Sequence, residues 1–194
     1  MWINKIHIRL EEKNRLFDQL KSNEINLFIG DTECGKTTIL KGIAESWQSC
    51  LSETKRPDSV QLEIRHLDLT MSSSDNSGAI KIKNLFVNKN NDVSCAMLFY
   101  PVERILKDMG NAEKDKSTTE KCFSAMSSDF ENHSIHNSII IIDDIDLKPS
   151  KKRIETFINT HFPKLIKNKN QIIMSCINEK ILDGLSVPIK KFRI

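Results

Sequence analysis

Uninterrupted apolar stretches recur along the chain at lengths that suit strands: Ile25 to Ile29 around Asn26, Cys95 to Tyr100, the isoleucines 139–142, and Gln171 to Ser175. A strand whose successive side chains are nearly all apolar needs cover on both faces, as in a parallel sheet between helices. Helical spacing joins Ile39, Leu40, Ile43 and Trp47, and again Ile154, Phe157, Ile158, Phe162 and Leu165. The first set predicts a helix from Thr37 to about Ser49. The second predicts one over 151–166, kinked or divided at Pro163.

Elsewhere the apolar positions alternate with polar ones. Ile3, Ile6, Ile8 and Leu10 predict a half-exposed strand, and Glu11 to Lys21 reads as a charged connector. Val60, Leu62, Ile64, Leu67 and Leu69 predict a long strand whose register shifts at a bulge near His66. Met71 to Ala79 reads as a polar hairpin tip, with Ile80, Ile82 and Leu85 to Val87 returning. Residues 58–93 are therefore expected to form an antiparallel wing. Pro101 ends the strand before it, and Val102 to Asp108 suits a short helix. The stretch 110–137 is polar and reads as mobile, anchored only by Phe123, Met126 and Phe130. A turn at Ile181 and Leu182 and a strand from Val187 to Ile194 close a single α/β domain over 1–194, a mainly parallel sheet flanked by helices with an antiparallel wing.

The first apolar strand runs into Gly30-Asp31-Thr32-Glu33-Cys34-Gly35-Lys36-Thr37, followed by Thr38-Ile39-Leu40. Gly, four residues, then Gly-Lys-Thr is the phosphate-loop pattern, here between a strand and a helix as that loop requires. Its backbone amides and the helix N-terminus would cradle phosphates, so residues 30–38 are the expected nucleotide contacts. Lys36 would reach the β- and γ-phosphates, and the Thr37 hydroxyl would bind magnesium. Glu33 stands where such loops usually carry a small residue. With Asp31 it adds negative charge beside a triphosphate, which weakens affinity unless the carboxylates point to solvent.

The isoleucine strand ends in Asp143-Asp144. In an open parallel sheet this places both carboxylates at the edge where the phosphate loop opens. Asp143 would hold magnesium and Asp144 would orient an attacking water. Lesser signals favour ordinary explanations. His133 and His136 beside Glu131 and Asp129 lack a further soft ligand, and Lys151-Lys152-Arg153 suits a solvated helix face. Arg104 after Tyr100-Pro101 suits a surface ion pair as well as a phosphate or partner contact. Cys34 fills a small-residue slot in the loop, where a helix N-terminus can lower a thiol pKa. Trp2 and Trp47 are expected in the core.

The totals, 194 residues with 39% hydrophobic and 28% charged, describe an ordinary globular chain. A net charge of +3 gives no argument for nucleic acid, though contact with it stays open. Odd, scattered cysteines at 34, 50, 95, 122 and 176 suit a reducing cytosol and exclude a zinc ribbon. No apolar run is long enough to span a bilayer, so the chain reads as cytoplasmic.

Ile3-Asn4-Lys5-Ile6, the phosphate loop with its strand and helix, Phe99 to Arg104, Ile141 to Ser150 and Gln171 to Ser175 together resemble the ABC/SMC-type ATPases. The nearest branch is that of the small ATPases related to overcoming-lysogenisation-defect nucleases and to the Septu anti-phage system. The resemblance implies a P-loop fold, ATP and Mg2+ as cofactors, and Lys36 and Asp144 in catalysis. It also implies a homodimer, or a complex with an effector such as a nuclease or toxin, and makes Ile145 to Ser150 the D-loop. Departures accompany it. Asp144 replaces the family's glutamate, the nearest signature candidate, Phe123 to Ser128, has no glycine, and Ile177 stands where a histidine is expected.

These features predict an ATP-binding, weakly hydrolysing ATPase that controls a partner in anti-phage defence. The competing readings are a nucleotide-dependent scaffold without turnover and a small P-loop kinase. A GTPase is disfavoured because Asn168-Lys169-Asn170-Gln171 lacks the aspartate of a guanine-reading motif.

Overall fold

The computed structural model describes residues 2–10, 13–52, 60–66, 69–75, 92–94, 97–101, 118–146 and 149–194. The chain begins with β1 (Trp2–Leu10), β2 (Lys13–Phe17), β3 (Ile25–Ile29), α1 (Lys36–Ser52), β4 (Val60–His66) and β5 (Leu69–Asp75). It continues through β6 (Asp92–Ser94), β7 (Met97–Pro101), α2 (Thr118–Asn132), β8 (Ser134–His136) and β9 (Ile139–Asp143). The last elements are α3 (Lys151–Lys167), β10 (Gln171–Cys176), a 3-10 turn (Glu179–Leu182) and β11 (Ile189–Arg193).

The uninterrupted apolar strands lie together in a parallel five-stranded sheet of order β11-β3-β10-β9-β7. Successive side chains point to opposite faces, so each strand feeds two cores. Ile140 and Ile142 of β9 and Ile172 and Met174 of β10 join Phe123, Met126 and Phe130 of α2 and Ile154, Phe157 and Phe162 of α3. The intervening Ile139, Ile141 and Ile173 turn the other way, to Ile39, Leu40 and Ile43 of α1 and to Ile3, Ile6 and Phe17. Each such side chain contributes about 1.5–3 kcal/mol by leaving water, so both layers clamp the sheet. Together these elements make an α/β fold, with a second, antiparallel sheet of order β2-β1-β4-β5. α1 packs against strands of both sheets.

Several boundaries differ from those the pattern predicts. The connector Glu11 to Lys21 contains β2, which pairs with β1 so that Phe17 lies opposite Ile6. With a period of two, Phe17 is buried while Leu16 points outward at 58% exposure. The register shift near His66 marks a chain reversal instead of a bulge, because His66 pairs with Leu69. Met71 to Asp75 consequently belong to β5, opposite Val60 to Ile64, and are not a hairpin tip. The antiparallel sheet thus also recruits β1 and β2, beyond the expected wing. An irregularity does occur in β1, between Ile3 and Lys5. Within the stretch read as mobile, 118–132 forms α2, whose Phe123, Met126 and Phe130 share one buried face. The signature candidate Phe123 to Ser128 is therefore helix rather than loop. Pro163 lies within a continuous α3; it is exposed, and so is Asn159, whose carbonyl loses its helical donor. The returning strand at 80–87, the helix at 102–108 and Arg104 lie outside the described residues, as do the side chains of Trp2 and Trp47. Among the described residues no helix is long and apolar enough to cross a membrane.

Three buried amides organise the sheet's N-terminal edge. Asn26 accepts from the Lys21 amide at 3.0 Å and donates to the carbonyls of Lys21 and Ile172 at 2.7 and 3.1 Å. Asn170 accepts from the Ser138 amide at 2.9 Å and donates to Ile135 and Leu165 at 2.8 and 2.9 Å. Gln171 exchanges two bonds of 2.7 Å with the backbone of Ile3, fastening β1 to the parallel sheet.

Between α2 and α3, His161 is packed against the rings of Phe130 and Phe157, its Nε2 3.1 Å from Ser127 Oγ. Burial holds its pKa below the ordinary 6.5; Lys164 lowers it further, and Glu131 acts the other way. The unfolded chain therefore takes up this proton first as pH falls. Stability contributed by the neutral ring is complete above 6.5 and is lost as pH drops through and below it. Urea unfolding should accordingly show a larger loss of stability from about pH 7.5 to about pH 5.5 in the wild type than in His161→Gln. Equal losses would mean that another group carries the acid sensitivity.

Candidate functional site

β3 ends at Ile29 and α1 starts at Lys36, so the intervening residues must turn tightly enough to present a helix N-terminus to the strand end. Gly35 takes φ +100° and Glu33 φ +66°. The left-handed region costs glycine nothing but costs a residue with a Cβ about 1–2 kcal/mol. Gly30 is needed for space: a Cβ there would stand 2.5 Å from Cys34 Sγ and 3.2 Å from the Ile194 carbonyl oxygen. Lys36, only 4% exposed, folds across this loop. Its ammonium donates to the carbonyls of Gly30 at 2.8 Å and Asp31 at 2.7 Å and lies 3.9 Å from Cys34 Sγ.

Strand register supplies the opposite wall. Cys176 pairs with Ile29 and Met174 with Ile142, so β3, β10 and β9 finish at nearly the same level. Ser175 Oγ donates to Asp143 Oδ1 at 2.7 Å and accepts from the Asp144 amide at 2.7 Å. The Ile145 amide bonds the Ser175 carbonyl at 3.1 Å. Asp144 takes φ +50°, a turn that aspartate tolerates better than most residues. Farther along, the Asp146 carboxylate accepts from the amides of Ile177 and Asn178, at 2.9 and 2.7 Å. This staples the turn after β9 to the turn after β10.

Between the two walls lies a cavity of about 330 Å³, lined by Thr32, Glu33, Gly35, Lys36, Thr37, Thr38, Asp144 and Ile177. The predicted residues 32, 33 and 35–38 therefore meet Asp144 in one place. Gly30, Asp31 and Cys34 form the base of the loop behind the lysine. Asp143 is not part of the lining; it is 4% exposed and held by Ser175. A larger groove of about 660 Å³ between α2 and α3 contains none of the phosphate-loop residues.

Burial raises the pKa of Asp144, and Asp143 and Asp146 raise it further, while Lys36 and the Ser175 hydroxyl pull it back. A carboxylate with elevated proton affinity, facing a cavity beside a lysine, suits general-base or water-orienting chemistry. The Cys176 thiol, pushed up to about 12 by burial, is inert by comparison. Among the described residues no group of three His, Cys, Asp or Glu side chains is placed to hold a metal unaided. Thr37, Asp143 and Asp144 are hard oxygen donors, and magnesium commonly completes such a partial set with substrate phosphates and water. The donor chemistry thus fits magnesium with a nucleotide.

Sequence reasoning missed Ser175 and Asp146 as parts of this arrangement. The available signal for Ser175 was a lone hydroxyl at the end of an apolar strand neighbouring two acids. Ile177, noted only as a departure from the ATPase pattern, is a wall of the cavity.

No family model and no curated protein matches the chain. Among solved structures, a Pyrococcus furiosus protein provisionally named an ABC transporter (ATP-binding protein) aligns over 97% of each chain, with TM-score 0.48 and 14% identity. The cytoplasmic domain of EssC aligns with 98% of this chain at TM-score 0.35 and 11% identity; the chain spans 36% of its length. Both scores are too low for a shared fold to follow, so the architecture rests on the strand order and register.

The crowding at Gly30 can be tested on stability alone. Gly30→Ala should cost about 1–3 kcal/mol in urea unfolding, the range for overpacking. Adding Cys34→Gly should recover part of that loss, a non-additive coupling between the two sites. Strictly additive effects would mean that the Cys34 thiol does not press on Gly30.

Proposed function

We propose that the chain is a single-domain, ABC-type P-loop protein that binds ATP with magnesium and hydrolyses it slowly. The observation that carries this reading is the common cavity of Gly35, Lys36, Thr37 and Asp144, formed by the phosphate loop and the end of β9. Bound ATP would supply the phosphates, and magnesium would neutralise their charge. Lys36 would exchange its carbonyl acceptors in the loop for β- and γ-phosphate oxygens. Residues 30–38 would cradle the phosphates through backbone amides. Thr37 and Asp143 would hold the metal, and Asp144 would orient water toward the γ-phosphate.

Slow turnover follows from particular residues. Asp144 is one carbon–carbon bond shorter than glutamate, and a water-orienting carboxylate must come within about 2.6–3.2 Å of its partner. The Ile177 side chain offers no hydrogen bond to the cavity, and the signature candidate Phe123 to Ser128 has no glycine and lies within a helix, so it lacks a row of free amides for a second subunit. Such losses act on the transition state more than on binding. The same apolar wall at Ile177 favours, as second reading, a nucleotide-dependent scaffold whose bound state is the signal. Control of an effector such as a nuclease or toxin, in a homodimer or a complex and in anti-phage defence, is supported by the resemblance to that ATPase branch alone.

Calorimetry tests the binding half. Lys36→Ala should weaken ATP by at least about 10-fold, equivalent to about 1.4 kcal/mol, while the circular dichroism spectrum stays unchanged. Glu33→Gly should tighten ATP by removing an exposed carboxylate from the cavity wall. Wild-type affinity in Lys36→Ala would sink the assignment.

Phosphate release tests the catalytic half. The wild type should turn over below the common range of about 1–1000 per second. Asp144→Glu should raise that rate, and Asp143→Asn should abolish magnesium-dependent binding or turnover. Indifference to both substitutions would reject the roles given to the end of β9.

A further inference from the structure

We propose that Ser175 is a positioning residue of this site, setting the Asp143 carboxylate for the metal and the Asp144 backbone for water. The proposal rests on the reading of the cavity as an ATP and magnesium site. Ser175 is 0% exposed, so its hydroxyl has no water to fall back on and must find its partners within the protein. It has one proton. That proton's main acceptor is Asp143 Oδ1 at 2.7 Å, and Asp144 Oδ1 receives only a long second contact at 3.5 Å. The oxygen's lone pairs receive the Asp144 amide at 2.7 Å, and the next amide, of Ile145, goes to the Ser175 carbonyl. Two successive amides of the turn after β9 are thus fastened to one residue of β10.

The consequences fall on the two carboxylates in different ways. Asp143 has one oxygen committed to Ser175, which fixes the rotation of the carboxylate and therefore the direction of its other oxygen. A hydrogen bond of this kind to a metal-binding carboxylate orients it, and its loss typically costs about 10–100-fold in metal affinity. Asp144 is fixed through its backbone. The bond to its amide secures φ +50°, and Asp144 lines the cavity beside Lys36. Ser175 itself does not line the cavity, so it would act through these residues and not on the nucleotide.

The test titrates magnesium chloride into the full chain with a fluorescent ATP analogue, for the wild type, Ser175→Ala and Ser175→Thr. The magnesium midpoint should rise about 10–100-fold in Ser175→Ala, while analogue affinity without metal stays within about 2-fold. Ser175→Thr, which keeps the hydroxyl, should restore the midpoint. Where phosphate release is measurable, kcat should fall in Ser175→Ala with KM unchanged. A wild-type midpoint in Ser175→Ala would overturn the proposal. So would a loss of metal-free affinity equal to the loss with metal, which is what a merely structural role produces. Should Ser175→Ala not fold, Ser175→Cys keeps the size with a weaker donor; the same rise in midpoint is expected, and a wild-type midpoint there overturns the proposal. A wild type that binds no analogue, or a Lys36→Ala variant that binds it equally well, rejects the ATP reading itself and is recognised before any Ser175 variant is compared.

Discussion

Because β10 pairs in parallel with β3 on one side and β9 on the other, a slip of one residue would carry Ser175 away from Asp143 and exchange the two faces of β10. In most sheets the hydrophobic pattern forbids such a slip. Here it does so only weakly, since Ile172, Ile173 and Met174 are all apolar and both faces are covered. The register is instead pinned by polar groups at the strand's other end. Gln171 bonds Ile3, its own amide bonds the Ser138 carbonyl at 2.9 Å, and Asn170 bonds the Ser138 amide. A slip would strand those buried groups, each at a cost of about 1–3 kcal/mol. The carboxylates at one edge of the sheet therefore owe their alignment to amides at the opposite edge.

That division explains what could be read in advance. The parallel sheet was legible because strands buried on both faces announce themselves as Ile139 to Ile142 does. The loop between β3 and α1 was legible because Gly30 and Gly35 answer separate steric demands and stand at a fixed spacing from Lys36 and Thr37. The antiparallel sheet was less so. Leu16 and Phe17 look alike in sequence, and only pairing with β1 sends one outward and one inward. Between His66 and Leu69, which pair with each other, the sequence has no glycine or proline, and Asp68 alone was too weak a signal to separate a turn from a bulge. α2 was hidden by composition: its exposed positions among the described residues are serine, glutamate and asparagine, and three well-spaced large side chains bear its packing.

The site's second half was illegible for another reason. Ser175 and Asp146 matter through hydrogen bonds to residues about thirty positions away, and no local spacing encodes such a contact. Asp143-Asp144 could be placed at the right edge of the sheet, yet the sequence did not distinguish a carboxylate beneath the cavity from one in its wall. The turn at Asp144, with φ +50°, makes that distinction by sending consecutive side chains to different surroundings.

Strained backbone and crowded like charges occur together where the phosphate loop meets the end of β9. Glu33 and Asp144 hold left-handed backbone, and Asp143 and Asp146 burden the charged form of the half-buried Asp144. Each works against stability: strained backbone at a residue with a Cβ costs of order 1–3 kcal/mol, and neighbouring like charges disfavour the ionised form. For Asp144 the sign is definite. Its folded pKa lies above the ordinary 3.8, so the folded protein is penalised above that range and relieved as pH falls into it. Lys36 offsets part of this burden, and its ammonium is shared between Asp144's field and the carbonyls of Gly30 and Asp31. Concentrated strain and repulsion persist only where the surrounding structure over-determines them. The two apolar cores and the buried amides provide that surplus, which lets the sheet hold strained backbone and crowded carboxylates at one edge.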